Sequence, residues 1–145
     1  WYRWQKAVRC WLVPYMIGSL RNTNIRPVLA FLFTNLSCNV RCWYCYGSHT
    51  RHEDMSLDTA KRAVYWLESI GCRVLAFMGG EPLLRKDLIL ETTRYASEKG
   101  FYVYLPTNGL LLDRPFITEA AAAGIDIFNL AVDCVRPRPG LPKAF

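Results

Sequence analysis

Val74-Leu75-Ala76-Phe77-Met78-Gly79-Gly80-Glu81-Pro82 is an unbroken apolar run that stops at two glycines, a carboxylate and a proline. An apolar run without alternation suits a strand buried on both faces, as in a parallel sheet. The glycines let a main chain come close to a ligand and offer carbonyls that no side chain obstructs. In parallel α/β folds, ligands collect at the carboxyl ends of the strands. The stretch therefore predicts a strand, a layered fold around it, and a binding loop at its end.

The same pattern repeats on either side. Upstream, Val28 to Phe33 is another continuous apolar run, followed by a long loop from Thr34 to Met55. A loop of that length inside a compact domain is usually functional. Ser56 is placed to cap a helix whose apolar face is Leu57, Ala60, Val64, Leu67 and Ile70, ended by Gly71. Downstream, a helix is expected from about Asp87 to Lys99, closed by Gly100. A third strand, Phe101 to Leu105, then runs into Pro106-Thr107-Asn108-Gly109. A short helix from Pro115 to Ala123 and a fourth strand, Ile125 to Val132, complete the series. Strands alternating with helices imply parallel pairing through right-handed crossovers. Doubly wound and barrel arrangements both fit, although no G-x-G-x-x-G follows the first strand to support a dinucleotide fold.

The long loop carries Cys38-Asn39-Val40-Arg41-Cys42-Trp43-Tyr44-Cys45, with thiols at C-x3-C-x2-C. A disulfide would pair two of them and strand the third, so a shared metal centre is the better use. In a [4Fe-4S] cluster, three thiolates leave one iron open to a small molecule. A zinc knuckle and a cluster that only transfers electrons also remain open. His49 and His52 could join Cys42 and Cys45 around zinc, but histidines in a polar loop are more often solvated. Position favours the richer reading. The cysteines follow the first strand, Gly79 to Pro82 the second, Asn108 the third and Asp133 the fourth. A zinc knuckle would not require that convergence.

C-x3-C-x2-C with Tyr44 before its last cysteine resembles the signature of the radical S-adenosylmethionine (SAM) superfamily, and Gly79-Gly80-Glu81-Pro82 matches that family's G-G-E-P motif. The resemblance covers about residues 28–135 and implies the following. Cys38, Cys42 and Cys45 hold the [4Fe-4S] cluster, SAM chelates the open iron, and Tyr44 lies near the adenine. Gly79, Gly80, Glu81 and Pro82 contact the methionyl amine. Thr107-Asn108-Gly109 is similar to a motif of the peptide-modifying and molybdenum-cofactor branch, which makes Asn108 a candidate cofactor contact. That branch often has Ser-x-Asp-Gly after the fourth strand. This chain has Ala131-Val132-Asp133-Cys134 instead, so the serine contact is absent and Asp133 or Asn129 is left to compensate. The implied fold is α/β, a partial (β/α)6 TIM-like barrel of which about the first four βα units are present. The implied activity is reductive cleavage of SAM to a radical that abstracts hydrogen from a peptide, nucleotide or lipid. The electron would come from a flavodoxin- or ferredoxin-type donor. Two other readings stand beside it: a zinc- or cluster-stabilised binding module, and a degenerate radical SAM fold without chemistry.

Composition agrees with a folded domain: 145 residues, 52% hydrophobic, are enough for a core. The chain lacks an initiator Met and ends without an evident natural terminus, so it is expected to be part of a longer protein. Its net charge of +6 is uneven, with Arg3, Lys6, Arg9, Arg21, Arg26, Arg41 and Arg51 preceding the first acid, Glu53. Arg41 and Arg51 could steer an anionic electron donor, solvated charge being the default. Residues 1–27 form a separate basic, aromatic segment, and residues 28–145 the N-terminal part of the core domain. Trp1, Trp4, Val8, Trp11, Leu12 and Tyr15 fall at helical spacing with Arg3, Lys6 and Arg9 between them. That helix either packs its aromatic face on the domain, the preferred use, or makes peripheral membrane contact through residues 1–20. Scattered Cys10, Cys72 and Cys134 with no visible signal peptide fit a reducing cytoplasm, with membrane association as the variant. Trp43 is read as packing.

Overall fold

The computed structural model describes residues 2–20, 27–47, 53–136, 138–139 and 143. Arg21, Arg26, His49, Arg51 and His52 lie outside the described residues, and with them the zinc reading of the two histidines.

Four parallel strands form one sheet in the order β1-β2-β3-β4: β1 (Leu29–Asn35), β2 (Val74–Gly79), β3 (Tyr102–Thr107) and β4 (Ile127–Leu130). After two N-terminal helices, α1 (Tyr2–Ala7) and α2 (Val13–Leu20), the crossovers are α3 (Leu57–Ser69), α4 (Lys86–Glu98) and α5 (Arg114–Ala123). Local chemistry sets their bounds. Ser56 caps α3 by accepting from the Thr59 N–H, Asp113 caps α5 by accepting from the Phe116 N–H, and Gly124 ends α5 in the left-handed region at φ 109°.

The core settles which α/β architecture this is. Leu32, Leu75, Phe77, Val103 and Leu105 from the strands meet Val64 and Leu67 of α3, Ile89 of α4 and Phe116 of α5 in one buried cluster. These strand residues share one face, and all three crossover helices cover it. The opposite face carries Phe31, level with Ala76 of β2, which is itself level with Tyr104 of β3 and Ile127 of β4. Strands in sequential order with helices on one side make the singly wound arrangement of a barrel; a doubly wound sheet has helices on both sides and a reversal of order. The fold is a partial TIM-like barrel.

Two expectations are corrected. The first strand, read as buried on both faces, is the sheet's edge, and Leu29, Phe31 and Phe33 are exposed on the face the helices leave open. The fourth strand is shorter than its apolar run, with Ile127 and Leu130 exposed at the other edge.

Residues 2–20 are helical beyond Pro14, because a π-helical turn at Val8–Leu12, closed by the Val13 N–H on the Val8 carbonyl, takes up the proline's missing donor. Two contacts from the polar side of the segment dock it on the domain. Lys6 Nζ lies 2.6 Å from Asp126 Oδ2, and Cys10 Sγ lies 3.0 Å from the Gly100 carbonyl. Both contacts are at the amino ends of β3 and β4. Trp4, Leu12 and Tyr15 of the expected aromatic face are exposed, as are Met16 and Leu20, while Val8 is half-buried. No helix among the described residues is long and apolar enough to cross a membrane.

Candidate active site

At the carboxyl end of β1 the pairing slips: Phe33 faces Met78, and Asn35 faces Gly79, leaving Thr34 as a bulge. The bulge aims Asn35 at the next loop. Its Nδ2 donates to the Ser37 carbonyl at 2.8 Å and to the Glu81 carbonyl at 3.2 Å. The main chains then meet directly, with Gly80 N–H on the Asn35 carbonyl and Glu81 N–H on the Ser37 carbonyl, both 2.9 Å. That proximity explains the glycines. A Cβ at Gly79 would stand 1.9 Å from the Asn35 oxygen, and one at Gly80 would stand 2.1 Å from the Ser37 oxygen. The two glycines therefore let the cysteine loop's own base approach.

Glu81 is also committed within the chain. Its carboxylate is buried, with Oε1 accepting from the Thr107 hydroxyl at 2.7 Å and the Leu83 N–H at 3.0 Å. Oε2 accepts from the Asn108 N–H at 2.9 Å. Three neutral donors satisfy a buried charge, which would otherwise cost several kcal/mol, on the order of 2–7 even for a neutral polar group. Pro82 opens a 3-10 turn, Pro82–Arg85, with Glu81 as its cap. Glu81 thus fastens the end of β2 to the end of β3.

Asn108 carries the connection on to the cysteines. Its Nδ2 donates to Asn39 Oδ1 at 2.7 Å and lies 4.0 Å from Cys38 Sγ. Gly109 adopts φ 80°, as the turn requires. Cys38 is exposed, Cys42 buried and Cys45 intermediate, none of the three in a disulfide, and Cys45 N–H bonds the Cys42 carbonyl at 3.1 Å. Burial pushes the Cys38 thiol up, opposed by a main-chain hydrogen bond at Val40, while the Glu81 carboxylate and the other two thiols add to the rise. Binding a metal here must release protons. Three thiols form a soft donor set, suited to iron–sulfur or zinc chemistry. Among the described residues no three His, Cys, Asp or Glu side chains are gathered as the ligands of one ion. A cluster spreads its thiolates wider than a single ion does.

The end of β4 closes the ring of loops. Tyr44 OH donates to Asp133 Oδ1 at 2.5 Å, and Lys143 Nζ stands 3.1 Å from the same oxygen and 5.1 Å from the Tyr44 ring centre. The tyrosine hydrogen bond, with help from Lys143, holds Asp133 below the ordinary carboxylate range, and the Asp133 carboxylate holds the Tyr44 hydroxyl up. Asp133 Oδ2 is buried with no hydrogen-bond partner among the described residues. Asn129 Nδ2 donates to the Tyr104 hydroxyl on the open face of the sheet.

The structure thus brings Cys38, Asn108 and Glu81 into one hydrogen-bonded run, and Tyr44 and Asp133 into another. Trp43, expected to pack, is 79% exposed and touches Tyr44 edge to face. Cys72, read as a small buried hydrophobe, is fully buried in the core. Asn35 and Thr107 were missed as site residues; the signal was their position, a polar residue ending an apolar strand.

The profile of the Radical SAM superfamily matches residues 34–145. The chain is 34% identical over 114 residues to the Fe-coproporphyrin III synthase of Methanosarcina barkeri, covering 77% of this chain and 28% of that one. It is 37% identical over 106 residues to the GTP 3′,8-cyclase of Heliobacterium modesticaldum, covering 69% of this chain and 32% of the relative. It therefore spans about a third of the length of these curated relatives. The crystal structure of BtrN in complex with AdoMet and 2-DOIA superposes with a TM-score of 0.62 at 25% identity, over 73% of this chain and 46% of that one. With the parallel partial barrel, the cysteine loop and the G-G-E-P turn at its carboxyl end, the chain belongs to the radical SAM superfamily.

Proposed function

We propose that this chain is the cofactor-binding part of a radical SAM enzyme, with Cys38, Cys42 and Cys45 as ligands of a 4Fe–4S cluster. When bound, the reduced cluster supplies the electron that cleaves SAM to methionine and a 5′-deoxyadenosyl radical, which takes a hydrogen atom from substrate. The observation that carries the reading is the run from Glu81 through Asn108 to Cys38, which ties the cysteine loop to two other strand ends. Such cross-strand bonds fix the thiols relative to the Gly79–Pro82 turn, where main-chain carbonyls would receive the amine of SAM. Asp133 Oδ2, buried and unpartnered, supports a hydroxyl contact from the cofactor near Tyr44. Exposed Arg41 on the cysteine loop supports docking of an anionic flavodoxin- or ferredoxin-type donor. The core domain begins near residue 28 in this reading, and the protein works in a reducing cytoplasm.

The substrate lies over the open face of the sheet, where Phe31, Phe33, Tyr104 and Asn129 are presented. Peptide, nucleotide and lipid are the classes carried forward from the sequence. The two relatives are named for a porphyrin and a nucleotide, so substrate choice is assigned to parts of the chain that do not resemble them.

Electron paramagnetic resonance on the anaerobically reconstituted protein, reduced with and without SAM, tests the reading. A cluster signal that changes with SAM is expected, and Cys→Ala at position 38, 42 or 45 should remove both iron and signal. A cluster indifferent to SAM would favour the degenerate fold, and tight zinc without a cluster the binding module.

A second reading concerns residues 2–20. Trp4, Tyr15, Met16 and Leu20 are exposed on a segment docked by its polar side, which supports peripheral contact with an anionic membrane. The protein should then sediment with anionic liposomes and lose that property when residues 1–20 are deleted. Equal sedimentation of both forms would end the idea.

A further inference from the structure

We propose that Asn108 tunes the cluster: its side-chain amide donates a hydrogen bond to the sulfur of Cys38 and so sets how readily the cluster accepts an electron. The inference rests on the radical SAM reading above and goes beyond it, to a residue that is not a ligand.

The orientation of the amide is fixed by its neighbours. Asn108 Oδ1 accepts from the Leu110 N–H at 3.0 Å, which leaves Nδ2 pointing the other way. That nitrogen has two hydrogens. One goes to Asn39 Oδ1 at 2.7 Å, and Cys38 Sγ is the next acceptor, at 4.0 Å. The side chain cannot easily turn elsewhere, because Asn108 is 7% exposed and its own N–H is held by the buried Glu81 carboxylate. In the free thiol, Cys38 points its own proton toward Asn39 Oδ1 at 3.8 Å. A sulfur bound to iron has lost that proton and can only accept, so ligation strengthens the contact with Asn108.

Hydrogen bonds to cluster sulfurs are one of the levers that set a reduction potential. A donor stabilises the more negative, reduced cluster more than the oxidised one. An amide supplies this without adding a formal charge beside the site. Glu81 then acts as the anchor of a relay, holding Asn108 so that Asn108 can hold the sulfur.

The test is a redox titration of the reconstituted protein at its natural length, comparing wild type with Asn108→Ala and Asn108→Asp. Iron content comes first. A wild type that holds no cluster overturns the radical SAM reading, and this inference with it. With clusters in place, Asn108→Ala should shift the reduction equilibrium about tenfold toward the oxidised form, about 59 mV for a one-electron couple. Asn108→Asp keeps an acceptor for the Leu110 N–H but replaces the donor with a negative charge, and should shift it further in the same direction. Potentials equal to wild type in the variants that hold iron would overturn the tuning role while leaving the cluster assignment intact. Loss of iron from both variants would overturn it as well, because a residue that only tunes a cluster is not needed to build one.

Discussion

Two buried carboxylates sit at opposite ends of the same sheet, and they are satisfied in different ways. Glu81, at the carboxyl end, takes two main-chain N–H groups and a hydroxyl from the chain around it. Asp126, at the amino end, takes the Val103 N–H at 2.8 Å and the ammonium of Lys6 at 2.6 Å. The first arrangement uses neutral groups fixed by the strands themselves, so it cannot be released without disturbing the sheet. The second draws in a long side chain from a separate helix. A carboxyl end held by local backbone and an amino end held by a tether is the arrangement that a preorganised site at the carboxyl end calls for.

The largest effect is expected where main chains touch. Gly79→Ala puts a Cβ on the Asn35 carbonyl and forces an L side chain to φ 135°. Strain and overpacking together should cost about 4 kcal/mol, a large share of a domain's total. A shift in the urea midpoint corresponding to less than about 1 kcal/mol would mean the loops do not meet as closely as described.

At the other end, Lys6→Ala takes the ammonium away from the Asp126 carboxylate, which is 6% exposed and keeps the Val103 N–H. Breaking a pair of this burial should cost about 3 kcal/mol, less if water reaches the vacated side. Adding Asp126→Asn should recover part of the loss, because a neutral amide no longer needs a cation. No recovery in the double variant would assign the cost to packing of the lysine stem. The effect should concentrate in amide exchange of the N-terminal helix and leave the turn at Glu81 protected.

The same contrast explains what the sequence could reveal. Features set by neighbours in sequence were legible: Ser56 and Ala123 as helix ends, and β2 and the crossovers within a residue or two. The cysteine spacing and the G-G-E-P turn were legible for the same reason. Register decides what was not. Asn35 reaches Glu81 only because Thr34 bulges, and a bulge is a property of two paired strands. Lys6 meets Asp126 across 120 positions of sequence. The exposure of Phe31 depends on which face the helices choose, and an apolar run reads alike whether one face or both are covered.

The smallest effect belongs to the Tyr44–Asp133 contact, which joins the cysteine loop to the end of β4 by side chains alone. Tyr44→Phe should cost below about 1 kcal/mol, since the ring stays partly in water. Its pH dependence is more informative than its size. Asp133 is held below its ordinary range, so its contribution is complete above about pH 4 and lost as pH falls through the depressed value. The Tyr44 hydroxyl is held up, so its contribution is complete below about pH 10 and lost as pH rises through the raised value. The difference in unfolding free energy between wild type and Tyr44→Phe should therefore be flat across that window and fade at both ends. A difference that persisted in strong acid would show that the carboxylate's charge is not what Tyr44 donates to. A difference near zero at every pH would instead make Lys143, 5.1 Å over the Tyr44 ring, the group that holds the loop, because Phe in place of Tyr keeps most of that contact.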